Sequence, residues 1–392
     1  MSDFEDDLVT SSGATSRPKK SKAKTAGHRD DIEGKYTKLT AHEHILKRPD
    51  TYIGSIEHTE MEMWVWDTDL EKMVLRNVKF VPGLYKIFDE ILVNAADNKQ
   101  NDPKNCNLIK IDIDVENNRI SCWNNGQGIP VTEHKDFDNM WVPEMIFGHL
   151  LTSSNYDDDK DKVTGGRNGY GAKLCNIYST KFTVETSSKQ YKKKFKMVWQ
   201  NNMYKKGTAK VSPTEGSDFT KITFEPDLQK LGKMTHLDKD TVSVLTRRAY
   251  DLAATSGCKV FLNGVRLSVK SFKEYSELFL KDALDNAGNQ VVPIHQKVND
   301  HWEIAIAVSD SGYKHMSFCN NIATIKGGKH LDYVTNQITK KIKDKVSAKC
   351  KGTKITDFYI KNHSFFTFLG RCTSKHYRHV QLVAFYDPKG RG

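Results

Sequence analysis

At 392 residues the chain is long for one hydrophobic core, so two domains and some tail are expected. Sixty Lys and Arg against 49 Asp and Glu leave a formal net charge of +11, which favours polyanionic partners, nucleic acid above all, over an ordinary solvated surface. No apolar run approaches the ~20 residues of a membrane-spanning helix, and the seven cysteines form no C-x-x-C pair or metal-ligand spacing, so they read as reduced thiols of an intracellular protein.

Residues 1–34 are rich in Ser, Asp, Lys and Gly and poor in apolar groups, which predicts a disordered tail. Its start is acidic (Asp3, Glu5, Asp6, Asp7), opposite to a signal peptide. The basic run from Arg17 to Lys24 reads either as a nuclear-import signal or as solvated tail. Over residues 83–98, Leu84, Ile87, Phe88, Ile91 and Leu92 recur at helical spacing. Glu90, Asn94 and Asp97, four and then three residues apart, share the other face of that helix. A solvated face is the plain alternative, but Val93, Ala95 and Ala96 surround these polar groups with small or apolar side chains. Ile109, Ile111 and Ile113 then alternate as in a half-buried strand, and a turn at Glu116-Asn117-Asn118 leads to a second strand ending at Trp123. Asn124-Asn125-Gly126-Gln127-Gly128 follows, and the donor and acceptor of Asn124 suit the edge of an adenine ring.

Four glycines in the seven residues from Gly165 to Gly171 predict a tight loop whose N–H groups can turn toward an anion, with Arg167 and Lys173 adding charge. A polyphosphate is the natural guest, and a mobile surface loop is the alternative. It is no P-loop, since Ala172 follows Gly171, and Gly166, Gly169 and Gly171 run opposite to the dinucleotide fingerprint.

Polar helix, strand with x-x-G-x-G turn, and glycine loop closed by lysine, in that order, resemble the GHKL ATPases. Glu43-His44-Ile45-Leu46-Lys47-Arg48-Pro49-Asp50-Thr51-Tyr52-Ile53-Gly54-Ser55 is similar to the opening segment of type II topoisomerases. Residues 88–100 and 151–159 are similar to the eukaryotic members. The resemblance spans residues 35–365 and implies an α+β fold, a GHKL (Bergerat) sandwich of antiparallel or mixed sheet and helices at 35–258. A smaller α/β transducer domain of ribosomal-protein-S5 type follows at 259–365, opening on a hairpin at Asn263-Gly264. Trp302–Val308 and residues 317–320 read as its strands, and Leu331, Val334 and Ile338 as one face of its helix.

The resemblance also implies the roles. Glu90 is the general base, Asn94 holds Mg²⁺, and Asn124 takes the adenine amino group, where many GHKL proteins carry aspartate. Ser153, Ser154 and Asn155 are nucleotide contacts at a lid, and Gly166, Arg167, Asn168, Gly169, Tyr170, Gly171, Ala172 and Lys173 form the phosphate loop. Tyr36 belongs to an N-terminal strap that crosses to a partner subunit. Lys349, Lys351 and Lys354 are candidate DNA contacts; a solvated lysine-rich loop is the alternative. ATP, Mg²⁺, double-stranded DNA, a homodimer and a nuclear location are implied, with no membrane partner. A nucleotide-binding dimerisation module that does not hydrolyse ATP is the competing function. After Phe366 the family's Gln-Thr-Lys loop is not found, and Lys375 lacks its flanking residues. Residues 366–392 are therefore expected to be a divergent tail that leaves the transducer truncated at its C-terminal end.

Overall fold

The computed structural model describes residues 38–150, 164–166, 169–285, 287–350 and 352–371. Two short helices, α1 (Ala41–Lys47) and α2 (Pro49–Tyr52), lead into the antiparallel hairpin of β1 (Thr59–Asp67) and β2 (Lys72–Phe80). Pro82 at the first helical position starts α3 (Pro82–Asn101), since its fixed φ suits a helix start and its missing N–H goes unused there. Leu84, Ile87, Phe88, Ile91 and Leu92 are all buried, as the periodicity requires.

Next come β3 (Leu108–Asp114), β4 (Arg119–Asn125), the small β5 (Glu133–His134) and β6 (Met140–Trp141), and α4 (Val142–Gly148). Past the glycine loop run α5 (Gly171–Ile177), β7 (Ser179–Ser188), β8 (Lys193–Gln200), β9 (Lys205–Lys206), β10 (Lys210–Pro213) and β11 (Phe219–Pro226). The Asp238 side chain caps α6 (Lys239–Thr255) by accepting from Thr241 N–H at 2.7 Å. The chain returns through β12 (Lys259–Leu262) and β13 (Val265–Arg266). These strands make one nine-stranded sheet in the order β10-β8-β7-β11-β4-β3-β12-β13, with β9 on β8. It is antiparallel except where β12 joins β3 in parallel after the crossover through α6. Isoleucines at 109, 111 and 113 face the helical layer while Lys110 and Asp112 are exposed.

Beyond α7 (Phe272–Leu278), a five-stranded sheet is built from β14 (Ile294–Lys297), β15 (Trp302–Val308), β16 (Lys314–Cys319), β17 (Ile322–Ala323) and β18 (Ser364–Gly370), in the order β14-β15-β18-β16-β17. The helix α8 (Lys329–Lys349) lays Leu331 and Val334 against Phe366 and Phe368, and α9 (Asp357–Asn362) precedes the last strand.

The second strand runs to Asn125 and not only to Trp123, so Asn124 lies on β4, and two larger boundaries also differ from the sequence expectation. The Asn263-Gly264 hairpin belongs to the first sheet, because β12 completes a βαβ crossover onto β3. The last strand does not stop at Phe365: β18 runs through Gly370, every residue buried, as the centre of the second sheet between β15 and β16. Phe366, Phe368 and Leu369 belong to the core. The core is also continuous between the sheets, since Trp64, Phe279, Phe318 and Phe365 share one cluster with α3 and β7.

Candidate functional site

A cavity of about 260 Å³ opens between α3, the β4 end, β11 and the glycine loop. Glu90, Asn94, Asn124, Gly166, Gly169, Tyr170, Gly171, Ala172 and Lys173 all line it, so the structure joins motifs up to 83 residues apart in sequence, from 90 to 173. Ser153, Ser154, Asn155, Arg167, Asn168 and Tyr36 lie outside the described residues, as does Lys351.

Glu90 sits at the heart of the polar wall. Its Oε1 pairs with Lys86 one helical turn back. On its other side Gly171 comes so close that a Cβ there would overlap Oε2 and lie 2.5 Å from Cδ. The bare Cα of Gly171 is therefore a steric requirement of this carboxylate, and Gly171 itself stays outside the left-handed region. Gly169 is different: its φ of +70° is left-handed, which a side chain resists.

The glycine loop is tethered to α3 in a way the sequence did not assign. Asp97 accepts from Gly165 N–H at 2.9 Å and from Gly166 N–H at 2.7 Å. In this structure these two amides donate to Asp97, a partner the reading of Gly166 as part of an anion nest did not include. What Gly166 offers the cavity is a bare Cα, from which a Cβ would reach Asn94 Oδ1 at 3.2 Å. Burial pushes the Asp97 carboxyl up to about 7, against the downward pull of the two N–H groups. The helical spacing of Glu90, Asn94 and Asp97 carried the signal for this residue.

Lys173 is almost fully buried and its ammonium donates to Gly169 O, bracing the loop across the first turn of α5. Burial pulls its pKa down to about 8. An anion in the cavity would favour the charged form.

At the other end Asn124 is buried, and its Nδ2 donates to Asn125 O at 2.9 Å. That leaves Oδ1 as the acceptor for an exocyclic amine, as adenine recognition needs. The β4–β11 register sets Thr220 directly opposite Asn124, and Thr220 also lines the cavity. Ile129, Ile146, Phe147 and Ile222 supply apolar walls for a flat ring. Asn98 pins the x-x-G-x-G turn by donating to Gln127 O at 3.2 Å. Sequence reasoning missed Thr220 and Asn98, since each acts through a partner strand or turn.

Asn94 is exposed at the mouth, its amide oxygen beside the loop. Among the described residues no group of three or more His, Cys, Asp or Glu could hold a metal. A divalent ion here would take one protein oxygen and fill its shell from phosphates and water, a set that fits Mg²⁺. Lys349 at the end of α8 and Lys354 beyond it are both exposed.

Comparison with known proteins matches both halves of the chain. Residues 81–230 match the family described as histidine kinase-, DNA gyrase B-, and HSP90-like ATPase, and residues 271–372 match the DNA gyrase B family. The latter match continues past Phe365, as β18 does. The chain is 57% identical over 344 residues to DNA topoisomerase 2-alpha of Homo sapiens, covering 87% of this chain and 22% of that protein. It thus spans about a fifth of the length of the curated relatives it matches. Among solved structures, the ATPase region of Saccharomyces cerevisiae topoisomerase II superposes with a TM-score of 0.81 at 46% identity, covering 88% of this chain and 87% of that one. The ATPase and transducer domains of DNA topoisomerase II from Balamuthia mandrillaris superpose at 0.80 with 44% identity, over 87% and 86% of the two chains.

Proposed function

The chain belongs to the DNA topoisomerase II family, whose ATPase region it matches in sequence and fold, and on that premise we propose that its cavity binds ATP and hydrolyses it to drive a dimeric DNA clamp. The observation that carries the reading is Glu90 held against the bare Cα of Gly171, at the junction of α3 and the glycine loop. Phosphoryl transfer to water demands positioning and charge stabilisation more than covalent chemistry. Glu90 orients the attacking water and takes its proton. Lys173 and the loop from Gly169 onward receive the phosphates, Asn124 and Thr220 receive the base, and Asp97 holds the loop to α3. Asn94 is the residue that would hold Mg²⁺, which supplies neutralisation of phosphate charge.

The family also supports the wider reading. The relatives are DNA topoisomerases 2, so double-stranded DNA, a second copy of the chain and a nuclear location are the partners and setting we propose. The net charge of +11 suits DNA, and no helix among the described residues is long and apolar enough to cross a membrane. The division into a GHKL domain and a transducer is proposed to fall after Arg266, where the first sheet ends.

The test is Glu90→Gln. A general base matters in the transition state, not in ground-state affinity. The variant is expected to bind a non-hydrolysable ATP analogue near wild type by titration calorimetry and to lose phosphate release. Normal turnover would remove Glu90 from the base role; a wild-type chain that binds the analogue without turnover would favour the dimerisation module.

A further inference from the structure

Next to Glu90 in sequence, Asp89 points into the protein, where it is only 2% exposed. It accepts from Nε of Arg248 on α6 at 2.6 Å, and Arg248 is 0% exposed. The guanidinium does more than balance that carboxylate. Its Nη2 donates to the backbone carbonyl of Asn321 at 2.5 Å, while Nη1 has no hydrogen-bond partner among the described residues. Asn320 and Asn321, with φ of +48° and +66°, form the two-residue turn between β16 and β17 in the second sheet. That turn abuts the glycine loop: Asn320 Nδ2 donates to Thr164 O at 3.4 Å, and a Cβ on Gly165 would come within 2.9 Å of Asn320 O. Val93 of α3 completes the junction by packing with Cys319 and Ile322.

One buried cation thus ties the turn of α3 that carries Glu90 to a hairpin of the second sheet, and Asn320 of that hairpin joins the start of the glycine loop. Stability alone is a poor reason for it, because a buried ion pair seldom outdoes apolar side chains of similar volume. Arg248 also leaves one of its donors unsatisfied, which costs further. What a planar guanidinium supplies is geometry, since its fork addresses Asp89 and Asn321 in fixed directions. We infer that Arg248 is a positioning residue of the ATP site, fixing the Glu90 turn through Asp89 and holding to it, through the Asn321 carbonyl, the β16–β17 turn whose Asn320 abuts the start of the glycine loop. The inference rests on the reading of the cavity as an ATP site.

Two variants of the full chain test it. Arg248→Lys keeps a cation for Asp89 but cannot span both partners. Asp89→Leu/Arg248→Met removes the pair together, so that no charge is left buried alone. For each, melting temperature, kcat and KM for ATP, affinity for a non-hydrolysable analogue, and hydrogen exchange of residues 316–324 with and without analogue are measured. Both are expected to melt close to wild type and bind the analogue within about threefold. kcat is expected to fall by at least about tenfold, as small misplacements of a catalytic group do. The protection that the analogue confers on residues 316–324 is expected to vanish. Wild-type kcat with protection retained, in whichever variant folds, overturns the inference and reduces Arg248 to a structural pair. Wild type that neither binds the analogue nor hydrolyses ATP instead fails the ATP-site reading itself, which the controls show separately.

Discussion

Gly171→Ala is the sharpest single test of the site, because one methyl group reaches one carboxylate. The added Cβ would lie 2.5 Å from Glu90 Cδ and 3.1 Å from Cγ, whereas ordinary contact begins near 3.4 Å. The Glu90 Cδ must therefore retreat by 3.4 − 2.5, roughly 1 Å, and Oε2, which the methyl would overlap, by more. The obstacle is the end of a flexible side chain, so the fold yields at little cost. Alanine is also the better helix former, worth at most about 1 kcal/mol at this first turn of α5. Stability is expected to hold or rise slightly while turnover collapses. Displacing a reacting group by ~1 Å costs about 10²-fold in rate. A coupled phosphate-release assay, with calorimetric titration of a non-hydrolysable analogue and a melting curve, separates the three effects. Adding Gly171→Ala to Glu90→Gln should cost nothing further in turnover, since both act through the same carboxylate. If Gly171→Ala alone hydrolyses ATP within about threefold of wild type, the close approach of Gly171 has no catalytic meaning.

Asn124→Ala is expected to weaken ATP binding by roughly 5- to 150-fold, the ~1–3 kcal/mol of a buried hydrogen bond left unmade, and to narrow the preference for adenine over guanine nucleotides in competition binding. Asp97 sets a pH signature. Its folded pKa near 7 lies above the unfolded carboxyl value, so the folded state keeps a proton that the unfolded chain releases from about pH 4 upward. Its contribution to stability is full below that point and is lost as pH rises toward 7, at up to about 1.4 kcal/mol per pH unit. Asp97→Asn should flatten that stretch of a melting-temperature profile, and an unchanged slope would assign the proton elsewhere. Alanine at Lys349, Lys351 and Lys354 together should lower the slope of log Kd against log salt for duplex DNA by about 0.9 for each phosphate these lysines neutralise, without changing sequence preference. Full affinity and an unchanged slope would make them solvated lysines.

The sequence alone determined the local pieces, because each rests on short-range rules. Apolar residues at helical spacing fixed α3 and put Glu90, Asn94 and Asp97 on one of its faces. Alternating isoleucines fixed β3, and the turn residues placed the break before β4. The order of motifs was enough to indicate the family. Tertiary structure decided whatever depends on which distant groups meet. Nothing local in Gly165 and Gly166 shows that Asp97, about 68 residues earlier, consumes their amides. The steric need for Gly171 exists only because α5 docks on α3 at Glu90. Asn263-Gly264 reads as a hairpin anywhere, and only the parallel pairing of β12 with β3 assigns it to the first sheet. The run from Ser364 to Gly370 has no polar alternation to mark it as a strand, because a strand at the centre of a sheet is buried on both faces, with Ser364 and Thr367 hydrogen-bonded inside. Arg248 is a basic residue on an amphipathic helix until the fold brings Asp89 and the Asn321 carbonyl to it, from 159 and 73 residues away.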